Sequence, residues 1–249
     1  EDPPSSATVT TAVMETCWSA GTVVVAEAQS AGRGRLSRGW FSPKGKGIWF
    51  SLILRPCFLP QEAPKCTLMA AVAIVRAMRK FGPEVVIKWP NDILVDGERK
   101  ICGILAQLAP ASSPFTTTAL LGYGVNIAQE GADLPTAHAT SLRAEGDIPA
   151  GEDSGAAAHA LLSTILVRLE ARVRSLVTHG SVSASGLADE VLAAMPLIGK
   201  RIALAEPTDP TGRAAIEGTA IGLADTGALQ LRTDDGRIHD INAGDVLTT

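Results

Sequence analysis

Residues 32–47 read GRGRLSRGWFSPKGKG, which places Arg33, Arg35, Arg38, Lys44 and Lys46 in sixteen positions with no acid among them. The chain has 249 residues and a formal charge of −4, so without these five cations it would carry −9. Positive charge gathered this way on an acidic protein points to a specific anionic ligand rather than to solubility. Glycines at 32, 34, 39, 45 and 47 let backbone amides come close to such a ligand. Arginine forks match carboxylate and phosphate oxygens. Composition alone also allows a flexible, solvated loop. The segment is not a known phosphate cradle: GxxxxGK[ST] occurs nowhere, and Gly32-x-Gly34 and Gly122-x-Gly124 lack the third glycine of a dinucleotide fingerprint.

A second polar cluster, Lys88-Trp89-Pro90-Asn91-Asp92, follows the apolar run at 85–87. Asp92 has the chemistry to ligand Mg²⁺, which takes few carboxylates together with substrate phosphates. Lys100, twelve residues after Lys88, leads into the apolar stretch 101–105. A lysine there either snorkels to the surface or meets an anion, and residue type leaves both open.

The two clusters are more informative together. GRGR-x-x-R-x-W-x-S-P at 32–43, KWPNDI at 88–93, [RK]K-x-x-GIL at 99–105 and G-x-G-x-N-I at 122–127 resemble the biotin protein ligase family. The segment 197–247 resembles that family's small SH3-like domain, so the resemblance spans nearly the whole chain. It implies an α+β protein: a class II synthetase-like catalytic domain at 1–196, with a mixed sheet and helices, then an SH3-like β-barrel at 197–249. The activity it implies has two steps. The biotin carboxylate attacks the α-phosphate of ATP, releasing pyrophosphate. A lysine of a biotin carboxyl carrier domain, the expected partner, then attacks the resulting biotinyl-5'-AMP. Biotin, ATP and Mg²⁺ are the expected ligands.

By the same resemblance, Lys100 and Arg35 are the catalytic pair. Ser6, Thr8, Gln29, Gly32, Arg33, Gly34 and Gly103 join them around biotin. Arg38, Trp40, Lys88, Asn91 and Asn126 fall to ATP, with Trp40 on the adenine, and Asp92 falls to the metal. The first step brings two anions together against roughly 1 kcal/mol of repulsion at about 4 Å in water, and more in a drier site. A cationic loop offsets that repulsion and stabilises the developing charge. The sequence departs from the family at two places. Ser6-Ala7-Thr8 stands where members show Ser-Thr-Asn, and Gln107 stands where they tend to carry glutamate. A lipoate or octanoate ligase-type acyl transferase shares the superfamily fold, but generally lacks GRGR-x-x-R-x-W together with KWPND. A non-catalytic biotin-binding relative is the other alternative, and intact Arg35 and Lys100 speak against it.

Several elements must hold these residues. The β-branched run at 22–26 and the apolar run at 48–54 read as strands bracketing the cationic loop. Residues 63–81 read as a helix, with Leu68, Ala71, Val72, Val75 and Met78 at three- and four-residue steps and Gly82-Pro83 as its stop. Strands are expected at 85–89, 100–108 and 117–125, with a loop between the first two that turns at Asp96-Gly97. Helices are expected at 9–19, 155–177 and 184–195. After residue 197, short β pieces at 201–204, 215–221, 228–232 and 238–241 alternate with turns, as in a small barrel.

Composition narrows the class further. Hydrophobic residues make up 46%, enough for a core. No apolar run is long enough to span a membrane. The acidic balance and 4% aromatic content argue against nucleic acid as a partner. Five residues before Ser6 leave no room for the winged helix-turn-helix that some members carry. Cys17, Cys57, Cys66 and Cys102 form no CxxC pair and read as reduced thiols of a cytoplasmic protein. A homodimer through sheet edges is compatible with this composition.

Overall fold

The computed structural model describes residues 18–55, 60–109, 118–149, 152–205 and 214–247. Ser6, Thr8 and positions 9–17 of the helix expected at 9–19 fall outside these residues, as do Cys17 and Cys57, and Trp18 and Ser19 are not helical. Six strands form the larger sheet: β1 (Val23–Ala26), β2 (Gly47–Leu54), β3 (Val85–Lys88), β4 (Asp92–Val95), β5 (Arg99–Ala109) and β6 (Thr118–Asn126). Their order is β1-β2-β6-β5-β4-β3. The α+β class is as expected. The mixed sheet resolves into antiparallel pairing on every ladder, because short turns join β3, β4 and β5. One isolated parallel bridge, Lys100 to Ala139, lies beside it.

Between β2 and β3 runs α1 (Pro64–Met78). Twelve of its fifteen residues are buried, so it serves as the core helix rather than as a surface amphipath. Proline at N1 and an alanine-rich interior favour helix here. One sheet face packs on α1 through Ile87, Ile93, Ile101, Cys102, Ile104 and Val125, each 2% exposed or less. Leaving that face covered by α1 keeps the other face free for a ligand.

Two more helices back α1: α2 (Ser154–His179) and α3 (Leu187–Ala194). Asp153 Oδ1 accepts from the Gly155 amide at 2.8 Å. That bond caps the start of α2. Gly180, at φ 74°, ends the helix in the left-handed region, and its amide donates to the Leu176 carbonyl. Leu161, Ile165, Leu169 and Leu176 form the inward stripe.

The C-terminal segment forms a separate antiparallel sheet of five strands. These are β7 (Arg201–Ala205), β8 (Ala214–Leu223), β9 (Leu229–Arg232), β10 (Ile238–Ile241) and β11 (Asp245–Leu247), ordered β10-β9-β8-β7-β11. It meets α1 and the turn after β3. A Cβ built on Gly227 would stand 3.0 Å from the Lys65 amide nitrogen, and one on Gly244 would stand 3.6 Å from the Trp89 ring. No described helix is long and apolar enough to cross a membrane.

Two strands differ from expectation. Residues 92–95, expected as loop, form β4 opposite both β3 and β5. The turn at Asp96-Gly97 is as read: both residues have positive φ, 52° and 76°. That geometry suits a tight hairpin. The three-residue β11 was not anticipated, and it proves central to the site.

Candidate active site

The cationic segment is a pinched hairpin rather than an open loop. Antiparallel bridges join Gln29 to Ser42 and Arg33 to Gly39. The Trp40 amide donates to the Gly32 carbonyl at 2.8 Å, and Ser42 Oγ donates to Gln29 Oε1 at 2.7 Å. A Cβ at Gly32 would meet the Trp40 carbonyl at 2.3 Å, so the strands can close only on glycine here. At the tip, Leu36 takes φ 56° with an exposed side chain. Leucine rarely adopts such a left-handed turn. The turn sends Arg35 and Arg38 to the same side.

Beneath the hairpin, one row crosses the sheet as Trp49, Gly124, Gly103, Asp92 and Lys88, from β2 through β6, β5 and β4 to β3. The two glycines make a flat floor, and Trp40 lies on it. A Cβ on Gly124 would stand 2.3 Å from Cε2 and Nε1 of Trp40, and one on Gly103 would stand 2.9 Å from Cζ3. Trp49 meets the Trp40 ring edge-on, with centroids 6.5 Å apart. Edge-to-face contact of this kind is a favoured aromatic geometry. The buried Nε1 of Trp40 has no partner among the described residues.

Lys100 reaches this floor through a bulge. Strict alternation along β5 would place Lys100 on the opposite face from Gly103. Register shifts between Ile93 and Leu94, so Lys100 pairs with Leu94 while Ile101 and Cys102 both enter the core. Lys100 Nζ then lies 2.7 Å from Asp92 Oδ1 and 5.1 Å from the Trp40 centroid. Its backbone is held by residues 138–140: the Lys100 amide donates to the His138 carbonyl, and its carbonyl accepts from the Thr140 amide. Cys102 lies under this pair, and burial pushes its thiol well above the usual range, with Lys100 opposing.

Asn91 ties the two cationic elements together. Its Nδ2 donates to the Ile104 carbonyl at 2.9 Å, which fixes the turn after the cis Trp89–Pro90 bond to β5. Its Oδ1 accepts from Arg35 Nη1 at 3.0 Å. Arg35 and Lys100, far apart in sequence, are therefore held by the consecutive residues Asn91 and Asp92.

The structure gathers Gln29, Gly32, Arg33, Gly34, Arg35, Arg38, Trp40, Lys88, Asn91, Asp92, Lys100, Gly103 and Asn126 around one cleft of about 1530 Å³. Lys88 and Arg33 are exposed cations with no ion-pair partner among the described residues. Asn126 is only 4% exposed, and its amide is already committed. Nδ2 donates to the Thr140 carbonyl and Oδ1 accepts from Gln129 Nε2, so it braces the 138–140 segment as well as facing the cleft. Among described residues no cluster of three or more His, Cys, Asp or Glu is placed to hold a metal.

Sequence reasoning missed Asp245. Its Oδ1 lies 3.2 Å from Arg35 Nη1 and its Oδ2 lies 3.1 Å from Arg38 Nη2. No local pattern marks it, since its role depends on how the second sheet meets the hairpin. His138 and Thr140 were also unmarked, because their contribution is made by backbone.

The cationic hairpin and the glycine-floored sheet lie in one matched segment, and the small β domain in another. Residues 4–126 match the Biotin/lipoate A/B protein ligase family, and residues 197–247 match the Biotin protein ligase C terminal domain. The bifunctional ligase/repressor BirA of Bacillus subtilis is 37% identical over 233 residues, covering 91% of this chain and 66% of the relative. The chain thus spans just under two thirds of that relative's length. The biotin–[acetyl-CoA-carboxylase] ligase of Mycobacterium tuberculosis is 32% identical, with 91% of this chain and 79% of the relative covered. The biotin protein ligase of Aquifex aeolicus, solved in complex with biotin and ATP, superposes with a TM-score of 0.71 at 25% identity, covering 96% of this chain and 93% of that one. The chain belongs to the biotin protein ligase family.

Proposed function

We propose that the protein joins biotin to an acceptor lysine at the cost of ATP, through biotinyl-5'-AMP. The observation that carries this reading is the convergence of Arg35 and Lys100 on Asn91 and Asp92 above the Gly103–Gly124 floor. A biotin carboxylate oxygen attacks the α-phosphorus of ATP, and the bond to pyrophosphate breaks. Arg35 and Lys100 bring positive charge to the carboxylate and phosphate, where preorganised donors contribute most. The glycine floor seats the Trp40 ring close to the backbone, and that ring offers its other face for adenine. The acceptor amine then attacks the acyl carbon, AMP leaves, and the amine gives up a proton.

The relatives named for acetyl-CoA carboxylase support a carboxylase carrier domain as the acceptor. Asp92 is a single carboxylate paired with Lys100, a donor set suited to Mg²⁺ that arrives on nucleotide phosphates rather than to a resident ion. Such an ion would supply charge to those phosphates. The net charge of −4 agrees with a partner other than nucleic acid.

Calorimetric titration with biotin, repeated with ATP and Mg²⁺ and followed by mass analysis of the bound species, tests the reading. Biotin binding with biotinyl-AMP formed is the expected result. Binding of lipoate or octanoate without biotin would move the chain to the acyl-ligase branch.

A further inference from the structure

We propose that Asp245, on the second sheet, is a positioning residue that sets Arg35 and Arg38 over the cleft, an inference that rests on the ligase reading for its catalytic consequence. Each oxygen of its carboxylate takes a different arginine: Oδ1 to Arg35 Nη1 at 3.2 Å and Oδ2 to Arg38 Nη2 at 3.1 Å. The carboxylate sits on a fixed element, since Asp245, Val246 and Leu247 pair with Ala205, Leu204 and Ala203 of β7. A rigid anion spanning two cations fixes their spacing, which a loop alone would not. The Arg38 pair is exposed and weak alone; the bridged arrangement is what holds the hairpin tip.

The donor count decides between positioning and mere quenching of charge. A guanidinium carries five N–H donors. In Arg35, Nη1 donates to Asn91 Oδ1 and Asp245 Oδ1, and Nη2 donates to the Gly244 carbonyl at 3.3 Å. That leaves Nε–H and one Nη2–H with no partner among the described residues. These two donors are free for carboxylate or phosphate oxygens. Asp245, Gly244 and Asn91 take the other three donors, so they orient the guanidinium and leave these two open. The second sheet thereby becomes part of the active centre.

The test begins on the ligand-free chain. With Asp245→Asn, the amides of Gly34, Arg38 and Trp40, which close the hairpin, should exchange hydrogen about tenfold faster, as loss of one charge-assisted contact predicts. Amides of β7 and β8 should keep the parent rate. Parent-like exchange in the hairpin overturns the proposal whether or not the chain is a ligase. Should β7 and β8 also exchange faster, Asp245→Glu decides: hairpin protection retained supports the proposal, and protection lost overturns it.

Turnover gives the second arm. Single-turnover formation of biotinyl-AMP should fall about ten- to a hundredfold in Asp245→Asn, the scale of an angstrom-sized misplacement, and recover substantially in Asp245→Glu. In a background lacking both arginines, Arg35→Ala with Arg38→Ala, Asp245→Asn should cause no further loss. An additive loss would show that Asp245 acts by another route and would overturn the proposal. No adenylate from the parent chain would reject the ligase reading alone, and hydrogen exchange would still decide the role of Asp245.

Discussion

Replacing Gly124 with alanine puts a methyl group where the Trp40 ring now lies. The backbone there is not in the left-handed region, so alanine adds crowding without conformational strain. The new Cβ would stand 2.3 Å from Cε2 and Nε1 of the ring. Carbon contacts settle at about 3.5 Å or more, so the ring must lift by about 1.2 Å. It cannot slide freely, because Trp49 meets its edge and the Trp40 amide is bonded to Gly32. Overpacking of this kind costs about 1–3 kcal/mol, which for a chain of this length lowers Tm by roughly 2–12 °C. A lifted ring also loses its place beside an adenine, worth about 1–3 kcal/mol of stacking, so ATP should bind about 5- to 150-fold more weakly. Differential scanning calorimetry and ATP titration in the presence of biotin read the two effects. A variant with the parent Tm and the parent ATP affinity would refute the seating of Trp40 on the glycine floor.

Other substitutions probe the remaining parts. Lys100→Ala should slow adenylate formation by about a hundred- to a thousandfold. Its Tm should stay near that of the parent, because the side chain is 33% exposed; a near-parent rate from single-turnover mixing would reject the assigned role. Arg35→Gly removes the contacts to Asn91 and Asp245 and should release activated biotin, measured as labelling of bystander proteins. Leakage equal to the parent's would count against a hairpin that retains the intermediate. Burial pushes the Cys66 thiol up to about 12 and raises that of Cys102 as well. A raised thiol pKa keeps the thiolate scarce below it, so at about pH 8 neither cysteine should react with iodoacetamide until the protein is unfolded. Rapid labelling of either in the native state, mapped by peptide mass, would contradict the packing of α1 on the sheet.

The sequence reading reached the longer elements because their periodicity survives burial. The helix read at 63–81 is Pro64–Met78, and the strand read at 100–108 is Arg99–Ala109. It missed β4, since four residues beginning with an aspartate carry too little alternation to separate from a turn. The motif residues were legible by type, but their arrangement was not. Alternation assigns Lys100 to the core side of β5, and only the bulge at Ile101 turns it to the cleft. Asn91 was assigned a supporting part near ATP, whereas its bond to Arg35 comes from a turn whose shape no residue count fixes. Asp245 lay furthest from reach: its partners are 210 and 207 residues away, and the three-residue strand that carries it has no pattern of its own.

Biotin-dependent exchange of labelled pyrophosphate into ATP tests the central claim most directly, because it reports formation and reversal of the adenylate without needing the acceptor. The account predicts exchange with biotin in the parent chain, and its loss in Lys100→Ala at unchanged Tm. Exchange supported by lipoate or octanoate but not by biotin would contradict it, as would full exchange by the Lys100→Ala variant.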